Sequence, residues 1–130
     1  MSAIDDLLEG IPIPRMVKVR QVFDRPRVAD VEGELTRKLR ESGALAKVKP
    51  GHRIGITAGS RGITSLPLML KAVAAEIRRV GGEPFLFPAM GSHGGATAEG
   101  QRDMLVGMGI TEECVGAPIL SGMETVEIGI

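Results

Sequence analysis

Residues 53–101 read RIGITAGSRGITSLPLMLKAVAAEIRRVGGEPFLFPAMGSHGGATAEGQ. Two short runs rich in apolar and β-forming residues, 53–58 and 84–90, read as strands. Each leads into a glycine-flanked loop, GSRG at 59–62 and GSHGG at 91–95. Each loop then opens a helical pattern. In the first, Leu66, Leu70, Val73, Ile77 and Val80 recur at spacings of three and four, which predicts a helix over 65–80. Thr64 or Ser65 can cap it, Pro67 is tolerated in its first turn, and Gly81-Gly82 ends it. In the second, Thr97 is a cap, Glu99 lies in the first turn, and Met104, Leu105 and Met108 share a face. A strand–loop–helix unit used twice predicts parallel strands joined by right-handed crossovers.

The flanks extend this pattern. Upstream, MVKVRQVF at 16–23 alternates in part and predicts a first strand. Val28, Val31, Leu35 and Leu39 predict a helix over 28–45. Asp30, Glu32 and Glu34 stand early in it and Arg37, Lys38 and Arg40 late, an order that complements the helix dipole. Downstream, PILS and TVEIG, within 118–129, predict one or two more strands. The expected fold class is α/β, a three-layer α/β/α arrangement with a mostly parallel sheet in β-α-β-α-β-α-β order. Residues 1–15, with Pro12 and Pro14, form an N-terminal arm that packs on the surface or against another subunit. Residues 16–130 form the α/β domain.

The chain has 130 residues, of which 43% are hydrophobic but only 2% aromatic, so aliphatic side chains must fill the core. Acidic and basic residues balance at 16 each, and a chain with no net charge has no general attraction for a phosphate backbone. No nucleic-acid partner is expected. Cys114 is the single cysteine, which excludes an intrachain disulfide and a cysteine-rich metal site. The acidic start MSAIDDLLEG lacks a signal-peptide pattern, and the apolar run at 62–70 is too short to cross a bilayer. A cytoplasmic protein with no membrane partner is expected.

In an open parallel sheet, ligands bind beyond the carboxyl ends of the strands. Both glycine loops lie there, and neighbouring strand ends stand about 5 Å apart. Arg61 and His93 are therefore expected to face one pocket. Ser60 and Ser92 read as donors to an anion, and the helices that follow aim free N–H groups the same way. His52 precedes its strand and belongs roughly 20 Å away, at the other end of the sheet. Simpler readings compete. In one the glycines serve backbone geometry alone, and in another Arg61 pairs with a surface carboxylate. GSRG does not match the nucleophile elbow G-x-S-x-G, and no base is fixed beside Ser60 by sequence. Neither loop matches a nucleoside-triphosphate or dinucleotide fingerprint.

GSRGITSLP and MGSHGGATAE, at this spacing and preceded by IPIPRMVKVRQVF, resemble the N-terminal lobe of the nickel-dependent lactate racemase family. The resemblance runs over most of the chain. It implies a partial enzyme that moves a hydride from the α-carbon of a 2-hydroxy acid to a nickel pincer nucleotide and back. His93 would take the hydroxyl proton. Arg61 would bind near substrate and cofactor, with Ser60, Gly62, Gly91, Ser92 and Gly94 around it. The chemistry suits the residue types: an imidazole titrates near neutrality, and a guanidinium grips a carboxylate through two hydrogen bonds. Ala58 stands where racemases carry an acidic residue, and Gly94 where they often carry a basic one. Both departures point to another 2-hydroxy acid or another epimerisation. The resemblance places the metal ligands, the cofactor-attaching lysine and a second histidine beyond residue 130. No metal ligand is therefore expected here, no cofactor bound to this stretch alone, and no activity without a second lobe. A homo-oligomer is possible. The alternative is a non-catalytic α/β module that binds a small anion or nucleotide through the 59–62 and 91–95 loops. A third reading has the domain assemble through its proline arm.

Overall fold

The computed structural model describes residues 3–12 and 14–129; Met1, Ser2, Ile13 and Ile130, and with them part of the expected arm, lie outside the described residues. The protein is mixed α/β. Strand β1 (Arg53–Ala58) pairs in parallel with β2 (Glu83–Pro88), in a register that sets Ile54 against Pro84, Ile56 against Leu86 and Ala58 against Pro88. Between them runs helix α3 (Leu66–Arg79), as the crossover pattern requires. Helix α1 (Ala3–Leu8) and helix α2 (Val31–Glu41) precede β1; α4 (Ala98–Gly107) and the short α5 (Glu112–Val115) follow β2.

The two-residue period of the strands sorts their side chains. Ala58 and Leu86 are completely buried and pack with Leu70 and Ala74 of α3 and Leu105 of α4. Ile110, Val115 and Ile119 close this core from the carboxyl side. Burying such aliphatic side chains contributes roughly 1.5–3 kcal/mol each. The opposite face of the sheet carries Arg53, Gly55, Thr57, Glu83 and Phe87, all exposed, and half-buried Phe85. Helices thus cover one face of the sheet, and α2 packs outside them on α3. Among the described residues, no buried side-chain nitrogen or oxygen lacks a hydrogen-bond partner.

Helix ends follow the sequence chemistry closely. Asp30 caps α2 by accepting from the Gly33 N–H at 2.8 Å, and Thr97 caps α4 through the Gly100 N–H at 3.0 Å. Ser65 occupies the cap position of α3, but at φ 64° and ψ 17° it makes no side-chain cap bond. A capping side chain needs extended backbone to reach back to the first turn. The α2–α3 contact is pinned by Glu76, which is 5% exposed and accepts from Arg40 and Arg79.

Two expectations change. Residues 16–23 form no strand; Val17, Val19, Val22 and Phe23 stay exposed, with no neighbouring ladder. Alternation creates a strand only where an adjacent backbone completes its hydrogen bonds. The expected strand at PILS shrinks to one parallel bridge, Leu86 with Ile119, and TVEIG has no strand at all. In the arm only Pro12 and Pro14 exclude helix; it begins with helix α1 ahead of them, and its Ile4, Leu7, Leu8 and Ile11 are exposed.

Candidate functional site

The parallel ladder ends on a hydrogen bond from the Ala89 N–H to the Ala58 carbonyl, at 2.8 Å. Past that bond, the chain leaves each strand through its glycine loop, and the loops meet. Ser60 Oγ lies 2.5 Å from Nδ1 of His93. Together with Arg61, Ile63 and Met90 they border a cleft of about 420 Å³. Ser60 is half-buried while Arg61 and His93 are exposed, so the polar groups face an open mouth over an apolar wall.

The 91–97 loop owes its shape to left-handed backbone. Gly91, Gly94 and Gly95 have φ of 60°, 63° and 68°, and Ala96 follows at 56°. Gly94 and Gly95 turn inside a single helical turn, His93–Ala96, that an L side chain would strain. Gly94 packs against the backbone of Gly100 in α4, where a Cβ would stand 2.6 Å from the Gln101 nitrogen. Thr97 Oγ1 donates to the Gly94 carbonyl at 3.1 Å while accepting the cap bond of α4. Buried Gln101 donates its side-chain amide to the Gly91 carbonyl at 2.7 Å. The first turn of α4 is therefore the support on which His93 rests.

Of the residues expected at the site, the fold brings Ser60, Arg61 and His93 to one cleft. Gly62 lines a smaller adjoining hollow of about 230 Å³ with Arg61 and Ile63. Gly91, Ser92 and Gly94 lie off the lining: the first and last hold the loop, and exposed Ser92 precedes the turn without a side-chain cap bond. His52 is exposed at the start of β1, at the opposite end of the ladder from His93. Sequence reasoning missed Gln101 and Gly100. Both fall inside the GSHGG-to-helix stretch, and only a small residue one turn into α4, facing the loop, hinted at close packing.

Arg61 makes no ion pair among the described residues, whereas Arg37, Arg40, Arg79 and Arg102 all pair with glutamates. The hydrogen bond from Arg102, helped by the Ile119 N–H, holds the Glu112 carboxyl below its usual range. No three His, Cys, Asp or Glu residues converge on a metal position among the described residues. No helix among the described residues is long and apolar enough to cross a membrane. No known protein family, curated protein or solved structure matches the chain.

Proposed function

We propose that the cleft between residues 59–62 and 91–95 is one half of an active site for a small 2-hydroxy acid, in a lactate-racemase-like enzyme completed by a second lobe. The observation that carries this reading is the side-chain contact of Ser60 with His93 across two strand ends, with unpaired Arg61 on the same rim. Arg61 grips the substrate carboxylate through parallel N–H donors. His93 takes the proton of the α-hydroxyl as the carbonyl forms and returns it to that oxygen when the hydride comes back to the carbon. The apolar wall of Ile63 and Met90 limits water at the reacting carbon. The hydride lost from the α-carbon would pass to a nickel pincer nucleotide held by the second lobe.

In this reading the exposed sheet face, with Phe85 and Phe87 at a centroid distance of 6.1 Å, is where further structure adds the third layer. The unpaired segments at 16–23 and 123–129 would then complete the parallel sheet, and the free Cys114 suits a cytoplasmic location. The test is turnover of a two-lobed, cofactor-loaded protein on a panel of 2-hydroxy acids. His93→Ala is expected to lower kcat by about 10²–10⁴-fold, the usual worth of a general base. Unchanged turnover would remove His93 from the reaction.

A second reading rests on the exposed Arg61 at the cleft having no carboxylate partner among the described residues: a module that binds a small anion without chemistry. Binding of lactate or phosphate to the chain, with no turnover in the two-lobed protein, would favour it.

A further inference from the structure

We infer that Ser60 is a positioning residue that selects the tautomer of His93, rather than a ligand for an anion. This rests on the reading of His93 as the proton-transfer group. Ser60 Oγ is 2.5 Å from Nδ1, and Nε2 has no partner among the described residues. Two arrangements satisfy that contact. If the Ser60 hydroxyl donates to Nδ1, the neutral ring carries its proton on Nε2. The only basic nitrogen is then the one facing Ser60, and protonating it breaks the contact. If Nδ1–H donates to Oγ, the lone pair lies on Nε2, free of protein partners. Protonating Nε2 then leaves the Nδ1–H···Oγ bond intact, because an imidazolium donates from both nitrogens. Only the second arrangement lets the ring take and return a proton without turning over.

The backbone holds the contact in place whichever nitrogen carries the proton. Ser60 follows Gly59 directly out of β1, whose end is bonded to Ala89, so its hydroxyl is held at fixed height beside the loop. His93 is fixed from the other side by Gly94 against Gly100 and by the Gln101 bond to Gly91. Each side of the contact is thus tied to the fold by backbone bonds or packing, the placement that an orienting group for a catalytic histidine needs.

Long-range proton–nitrogen NMR of the 15N-labelled chain, above the imidazole titration, reads the tautomer without substrate. Nδ1–H is expected to dominate. Ser60→Ala should shift the ratio toward Nε2–H by about fivefold, the population equivalent of one net hydrogen bond, and Ser60→Thr should restore it. Dominant Nε2–H in the unaltered chain, or the same ratio in Ser60→Ala, would overturn the inference. The expected tautomer shift combined with undiminished turnover in a loaded His93→Ala enzyme would sustain the positioning role and overturn the assigned reaction instead.

Discussion

Ser60 Oγ and His93 Nδ1 stand 2.5 Å apart although 33 residues separate them in the chain. Helix α3 and strand β2 lie between, and the ladder from Arg53↔Glu83 to Ala58↔Pro88 brings the end of β2 back beside the end of β1. The pairing is thus a product of tertiary register. A one-residue slip of β2 would turn Leu86 out of the core and carry His93 away from Ser60.

Replacing Arg61 should separate charge from geometry. Arg61→Ala is expected to weaken binding of lactate or phosphate by roughly tenfold or more, the loss of a charge-assisted hydrogen bond. Arg61→Lys should recover only part of it, because an ammonium cannot present two parallel donors. Titration calorimetry on the chain measures both. Equal affinity in all three proteins would place the anion elsewhere.

The support under His93 predicts an order of damage among its glycines. A Cβ on Gly94 would collide with Gly100 and Gln101, whereas one on Gly95 meets nothing within 4 Å. Both positions have positive φ, so Gly95→Ala should cost about 1 kcal/mol from backbone strain alone. Gly94→Ala should cost visibly more and displace the His93 ring resonances. Urea unfolding and a two-dimensional NMR spectrum decide it; equal costs would refute the contact.

Glu76 ties acid stability to the α2–α3 contact. The Arg40 hydrogen bond, more than that of Arg79, lowers its pKa from 4.5 to about 2, against the opposing effect of burial. A carboxylate depressed in the folded state stabilises fully above its unfolded pKa and loses that contribution as pH falls through the folded value. Thermal stability should therefore decline between about pH 4.5 and 2. Glu76→Gln should flatten that window and lower Tm at neutral pH by roughly 5–10 °C, as loss of charged hydrogen bonds on the order of 2 kcal/mol implies. A variant with the same acid profile as the unaltered chain would exclude Glu76 as the cause.

Much of the central fold was legible before any coordinates. β1, α3, β2 and α4 fall within two or three residues of their expected bounds, because glycine pairs, Pro67 and Thr97 punctuate periodic stretches clearly. The flanks were not. Val17, Val19 and Val22 carry a strand-like pattern, yet a strand also requires a partner edge, and no pattern within one segment encodes that. At the site, the shared cleft of Ser60, Arg61 and His93 followed from the loop-at-strand-end rule. The Ser60–His93 contact did not, since it depends on left-handed turns at Gly91, Gly94 and Gly95 whose direction a glycine permits but does not specify. Gln101 was hidden for a related reason: a buried amide in a helix looks, in sequence, like any solvated glutamine.

The segment after Ile119 bears on the imidazole through α4. Ser121 Oγ donates to the Ala98 carbonyl at 2.7 Å, and Arg102 reaches the Ile119 carbonyl at 2.8 Å, so the tail is fastened to the same first turns that carry Gly94. Tail and glycine loop thus share one support, and Ser121→Ala removes a bond from the same helical turn against which Gly94 packs.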